Sequence, residues 1–295
     1  MNAPEYFAPE TLADALSIKC KHGPRARVVA GGTDLILRMK DRVFTPMVLL
    51  DLHELSLDSI SRHAQEQCIG SYVNLSQILA SREISTYFPA LAEACRPFAG
   101  PPIRNRGTVG GNIVNASPAA DLVPPLMAYD ARIVLASSSG ERVLALEEFF
   151  TGPGRTVMEP DEILTEVRLP LMSSESAAAF IKLGQRRSMA ISIVNVGTRL
   201  SRAEDKTVSS ARIVLGAVAP TPLRAVSAES VLSGKKLSAE LINQAAQRAS
   251  EEISPITDVR ASADYRKRMT VVLVRRALMA TWDELRGNLT VGANE

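Results

Sequence analysis

The stretch Arg104-Asn105-Arg106-Gly107-Thr108-Val109-Gly110-Gly111-Asn112-Ile113-Val114-Asn115-Ala116-Ser117-Pro118-Ala119-Ala120-Asp121 decides how this chain is read. Paired glycines let backbone N–H groups approach a ligand with no Cβ in the way. Successive amides in such a bend form a concavity that binds anions. Thr108, Asn112, Asn115 and Ser117 add short donors and acceptors, and Asp121, acceptor-only when ionised, suits a sugar hydroxyl. Far upstream, Val28-Val29-Ala30-Gly31-Gly32-Thr33-Asp34-Leu35-Ile36 is an apolar run that feeds a Gly-Gly turn and then a predicted helix. That order sets amides and a helix N-terminus against a phosphate. A single Gly-Gly pair is common in plain turns. Two such loops, the second with an Asn-x-x-Asn-x-Ser-Pro tail and a trailing acid, favour one shared ligand, an extended molecule carrying a pyrophosphate. Neither loop has the G-x-G-x-x-G spacing of a Rossmann turn, and no Gly-Lys-Ser/Thr follows either one as a P-loop requires.

The chain of 295 residues suggests about two domains. Its hydrophobic fraction of 46% is ample for cores of that size. The net charge of +2, from 34 basic and 32 acidic residues, gives no strong pull toward nucleic acid or an acidic membrane. Local basic clusters such as Arg186-Arg187 and Arg275-Arg276 read as solvated faces. Cys20, Cys68 and Cys95 are odd in number and widely spaced, with no CxxC, so they support neither zinc nor an iron–sulfur cluster. They read as reduced thiols of a cytoplasmic protein. The first residues lack a basic region followed by an apolar run, so no signal peptide is expected. No stretch is long and apolar enough for a membrane span.

Taken in order, residues 4–8 read as a strand, a helix starts near Pro9, and Arg27 to Ala30 is a short buried strand. A helix over about 33–40 and a strand over 47–51 complete a small α/β unit of about 55 residues. Residues 58–70 suit a hairpin. Asn74 is placed to cap a helix reaching Ser81. Another helix is expected over about 87–98, broken by Gly100-Pro101-Pro102. After the organising loop come a helix from Ala119 to Tyr129, strands over 131–136 and 142–146, and a strand from Glu162 to Leu169. The small polar stretch Met172-Ser173-Ser174-Glu175-Ser176-Ala177 marks a domain boundary. Beyond it, three strand candidates over 180–183, 191–200 and 208–218 precede helices over about 223–232, 238–251 and 261–287. Strands followed by helices make an α+β unit.

Ala30-Gly31-Gly32-Thr33-Asp34-Leu35 and Thr108-Val109-Gly110-Gly111-Asn112-Ile113, the latter followed by Ala116-Ser117-Pro118-Ala119-Ala120-Asp121, resemble the two FAD-binding motifs of the molybdenum hydroxylase flavoproteins. That family comprises the FAD domain of xanthine dehydrogenase and the separate medium subunit of carbon monoxide dehydrogenase and its relatives. The resemblance runs over nearly the whole chain. It implies a two-part FAD-binding domain of the vanillyl-alcohol-oxidase/PCMH type over 1–172, with subdomains of about 1–55 and 56–172. A C-terminal α+β domain, a three-stranded sheet with helices, would follow over 177–290.

By the same resemblance Ala30, Gly31, Gly32, Thr33, Asp34 and Leu35 wrap the pyrophosphate, and Thr108, Gly111 and Asn112 complete the cradle. Asn115 and Asp121 hold ribityl or adenosine hydroxyls. Leu164 packs on the adenine side, and Lys182 lies near the flavin. Arg186-Arg187-Ser188-Met189 would approach the ring. FAD is expected to be non-covalent. The molybdenum cofactor and 2Fe-2S clusters are expected on a large molybdopterin-binding subunit and a small iron–sulfur subunit. The external electron partner would be NAD, a quinone or ferredoxin.

No nucleophile, general acid–base pair or metal cluster stands out in the sequence. That suits a chain whose chemistry belongs to its cofactor while the protein supplies binding and orientation. Two other readings remain open at this level: a self-sufficient flavin oxidoreductase of the same fold, and a non-catalytic nucleotide-binding protein.

Overall fold

A computed structural model describes residues 3–186 and 189–291. The first unit alternates strand and helix: β1 (Glu5–Phe7), α1 (Leu12–His22), β2 (Ala26–Val29), α2 (Leu35–Lys40) and β3 (Val48–Asp51). The strands form a parallel sheet in the order β1-β3-β2. Thr11 caps α1 through the amide of Asp14. Ala15, Leu16, Leu50, Leu52 and Leu55 make a small core here, completed by Ala136 and Ile163 from the next unit.

The second unit contains β4 (Ile60–His63), β5 (Glu66–Gly70), α3 (Leu75–Ala80), α4 (Arg82–Tyr87), α5 (Pro89–Cys95), α6 (Pro101–Arg104), α7 (Val109–Val114), α8 (Val123–Ala128), β6 (Arg132–Ser137), β7 (Gly140–Ala145), β8 (Phe150–Gly152), β9 (Arg155–Thr156) and β10 (Ile163–Pro170). Its main sheet is antiparallel, ordered β4-β5-β10-β6-β7, and β8 and β9 form a small separate ribbon. Asn74 caps α3 as expected, and Gln77 returns a hydrogen bond that completes a capping box.

Proline changes the expected helices in this unit. Pro89 starts α5, the helix expected over 87–98, because proline has no N–H to donate and is tolerated in the first turn; the short α4 that precedes it was not expected. Pro101 likewise starts α6 rather than ending a helix. Pro124 and Pro125 confine the helix expected from Ala119 to its later half, α8.

The fully buried Tyr129 follows α8. Its hydroxyl accepts the amide of Ala90 at 3.0 Å, and its ring meets Phe88 edge-on at 5.1 Å. Tyr129→Phe keeps the ring and orphans that amide, so it lowers stability by about 1–3 kcal/mol, read in thermal or urea unfolding.

The third unit is β11 (Ser176–Leu183), β12 (Val194–Arg202), β13 (Val208–Gly216), β14 (Leu223–Arg224), α9 (Val226–Leu232), α10 (Ala239–Glu251) and α11 (Ala263–Val291). Its antiparallel sheet has four strands, ordered β11-β12-β13-β14, where three were expected. The extra strand, β14, has only two residues and carries no alternation to read. The expected helix start at residue 223 falls on it. Helices α9, α10 and α11 cover one face of the sheet with a separate apolar core.

The other face lies against the second unit. Ala178, Phe180 and Val214 join that unit's core. A Cβ built on Gly197 would lie 2.7 Å from the backbone of Pro124, so only glycine lets α8 rest directly on β12. Asp130, just beyond α8, takes guanidinium hydrogen bonds from Arg199 on β12 and Arg212 on β13.

Candidate functional site

The two glycine loops meet. The first leaves β2 and turns through Gly32, whose φ of +71° falls where glycine carries no steric cost. A Cβ on Gly31 would lie 1.8 Å from the carbonyl oxygen of Arg106 and 3.1 Å from Cα of Gly107. The backbones of the two loops therefore abut. The first helical hydrogen bonds start beyond the turn, from Ile36 to Gly32 and from Arg38 to Asp34. Among the described residues, the amides of Gly31, Gly32, Thr33, Asp34 and Leu35 find no protein acceptor.

The second loop is less open than its glycines suggest, because it contains the helix α7. Thr108 caps that helix, its hydroxyl oxygen accepting from Gly111 N at 3.0 Å, and Asn112 N donates to Thr108 O. Val109 N and Gly110 N donate to Val73 O and Ser71 O, which strap the loop to the segment before α3. Among the described residues, the continuous run of unpaired amides therefore belongs to the first loop. The second contributes the Thr108 hydroxyl proton and the Asn112 side chain, whose Oδ1 is buried without a partner.

A cavity of about 470 Å³ opens beside these loops. It gathers Ala30, Asp34, Leu35, Gly111, Asn115 and Leu164. Leu164 is buried on β10 beside a bulge in its pairing with β6. Lys19, Arg27 and Arg38 supply positive charge to the lining, and both guanidiniums lie over the Phe44 ring, at 5.3 and 5.4 Å. The Lys19 ammonium donates to Gly23 O and Ala26 O. Burial, reinforced by Arg27, lowers its pKa from the usual lysine value.

Across the cavity, Glu162 is gripped by Arg142 through both oxygens and by the amide of Glu159. Burial pushes its pKa up, but the Arg142 and Glu159 hydrogen bonds outweigh it, and the net shift is downward. A depressed carboxylate pKa gives stability that is full at neutral pH and is lost as pH falls through the folded-state value, below the ordinary glutamate range. Glu162→Gln removes that component, so its unfolding midpoint falls less steeply with acidification than the wild type's.

A second cavity, of about 490 Å³, is lined by residues of β11 and its following loop, Phe180, Lys182, Leu183 and Gly184 among them, together with Glu93. Glu93 accepts the amide of Phe180 at 3.0 Å, and burial raises its pKa. Lys182 donates to Asp121 Oδ2 at 2.5 Å, both side chains being buried. Asp121 Oδ1 accepts from Ser192 at 2.6 Å and from Asn195 at 2.9 Å. The carboxylate expected to hold ligand hydroxyls is thus already engaged with protein donors. Sequence reasoning missed Ser192 and Asn195; the signal was polar residues in the otherwise apolar run from Ile191 to Val196. Of the stretch Arg186 to Met189, Arg187 and Ser188 lie outside the described residues. Among the described residues no cluster of acids, cysteines and histidines is arranged for a metal. Burial pushes the thiols of Cys95 and Cys68 up, to about 12 and about 11, so both stay protonated at neutral pH.

A loop of unpaired amides, abutted by a second loop with a free Thr108 hydroxyl proton, fits the pyrophosphate of a dinucleotide, while the orphaned Asn112 oxygen, an acceptor, suits a ligand hydroxyl. Residues 2–172 match the family described as the FAD binding domain in molybdopterin dehydrogenase. The chain belongs to the molybdenum hydroxylase flavoproteins. Residues 179–281 of this flavoprotein match the CO dehydrogenase flavoprotein C-terminal domain. It is 33% identical to the carbon monoxide dehydrogenase medium chain of Hydrogenophaga pseudoflava, over 94% of this chain and 96% of that one. It is also 33% identical to the nicotinate dehydrogenase FAD-subunit of Eubacterium barkeri, over 99% of each. A solved carbon monoxide dehydrogenase from Hydrogenophaga pseudoflava, lacking the Mo-pyranopterin moiety of its molybdenum cofactor, superposes with a TM-score of 0.92. That similarity covers 96% of this chain and 98% of that one at 33% identity. The flavoprotein is an FAD-binding oxidoreductase subunit of mixed α+β fold. Among its described residues no helix is long and apolar enough to cross a membrane.

Proposed function

We propose that this flavoprotein is the electron-transfer subunit of a cytoplasmic heterotrimeric molybdenum hydroxylase. Its partners would be a large chain with the molybdenum cofactor and a small chain with 2Fe-2S clusters. When bound, FAD supplies the electron exchange between those clusters and an external acceptor or donor such as NAD, a quinone or ferredoxin. The observation that carries this reading is the row of unpaired amides from Gly31 to Leu35 abutting the second loop.

Those amides would hold the pyrophosphate, with the Thr108 hydroxyl and Asn112 side chain closing the cradle beside Gly111. Ala30, Asn115 and Leu164 would line the adenosine side, Leu164 covering the base. Asp121 would act through Lys182, which lines the second cavity, where the ring end would lie. The FAD-binding domain would span 1–172 and the C-terminal domain 177–290. No covalent link to FAD is required by any of these contacts.

The purified full chain should take up FAD one to one, with flavin absorption bands and quenching on binding. Protein from its own host should carry molybdenum and iron and two further chains. A chain that stays colourless after reconstitution with FAD would refute the cradle. Flavin with neither metals nor partners would point instead to a self-sufficient flavoenzyme.

A further inference from the structure

The donors that meet Asp121 all come from the third sheet and the loop within it: Lys182 on β11, Ser192 in the connection, and Asn195 on β12. The acceptor sits at the end of the second glycine loop, in the preceding unit. Their division of labour is specific. Ser192 and Asn195 serve Oδ1, while Lys182 serves Oδ2. An isolated buried ion pair recovers its desolvation cost only when the remaining lone pairs are also satisfied. Here two neutral donors satisfy Oδ1, so the ammonium is not drawn across both oxygens. An ammonium carries more donors than this one bond uses, and Lys182 lines the second cavity.

Asn195 is held in one orientation. Its amide nitrogen faces Asp121 Oδ1, Ser192 Oγ and the carbonyl of Ala120. Its Oδ1 packs over Gly216, where a Cβ would stand 2.0 Å away. The flipped amide would aim an oxygen at a carboxylate and a carbonyl.

We propose that Ser192 and Asn195 are positioning residues: by saturating one oxygen of Asp121 they fix Lys182 as a cation toward the flavin and so set how readily the bound flavin is reduced. This rests on the FAD-binding reading above. A positive charge held in a water-poor site favours the electron-rich form of a neighbouring group far more than one in water. Without the two neutral donors, Asp121 draws the ammonium onto itself and that field weakens.

The test is the midpoint potential of FAD bound to the full chain, by titration with a chemical reductant and a reference dye, alongside thermal unfolding of the FAD-free chain. Asn195→Ala should shift the equilibrium about tenfold against reduction, about 30 mV more negative for a two-electron couple. Ser192→Ala, which removes a single donor and is the milder change, should shift it less in the same direction. On a Lys182→Met background neither change should move the potential further, since the cation they position is gone. If both single variants keep the wild-type potential and lose only thermal stability, the pair is structural and the proposal is wrong. An undiminished shift without Lys182 would also overturn it. A wild-type chain that takes up no FAD would instead refute the FAD-binding reading itself.

Discussion

Replacing Gly31 with alanine should weaken FAD binding by about a hundredfold and cost the chain about 3 kcal/mol of stability. The added methyl would stand 1.8 Å from the Arg106 carbonyl oxygen and close to Gly107. Both neighbours are backbone, and the second loop is strapped to Ser71 and Val73 by the Gly110 and Val109 hydrogen bonds, so it has little room to give. The first loop must move instead, carrying its open amides away from Thr108 and Asn112. Gly100→Ala is the control. Its Cβ would meet only Pro102, at an ordinary 3.7 Å, and its effect on both quantities should be small. Fluorescence titration with FAD and urea unfolding read the two effects separately. Wild-type affinity in the Gly31→Ala chain would mean that the loops need not abut to hold the ligand.

Asp121→Ala should be the most damaging change at the seam between the second unit and the third sheet. It leaves the Lys182 ammonium buried without its counter-charge and strips Ser192 and Asn195 of their acceptor. Breaking one side of a buried pair costs about 3–5 kcal/mol, or about 10 °C in the unfolding midpoint of a chain of this size. Removing both charges, in Asp121→Ala with Lys182→Met, should recover part of that loss because no lone charge then remains. A double variant as unstable as the sum of its single changes would show that the two side chains do not interact in solution.

Much of the local architecture was legible because its causes are local. Asn74 with Gln77 three residues on is a capping box in any context. The Gly31-Gly32 turn follows from an apolar strand run and a pair of residues able to reverse direction. The misreadings were also local in cause. Pro89, Pro101 and Pro124 each sit where a helix begins and no N–H is needed, so they open helices rather than end them. The fourth strand of the last sheet is two residues long and exists only because β13 offers it a partner.

The sequence by itself determined that this chain carries a pair of glycine loops, an α/β beginning and an α+β end, because backbone freedom and periodicity act over a few residues. Only the tertiary structure decided which groups in those loops are free. The glycines of the second loop spend their amides on Thr108 and Ser71, while the first loop keeps its own open. It also decided that Asp121 faces partners rather than solvent. Ser192 and Asn195 lie 71 and 74 residues further along the chain. They reach that carboxylate because Gly197 lets α8 settle onto β12, a contact that no local spacing encodes.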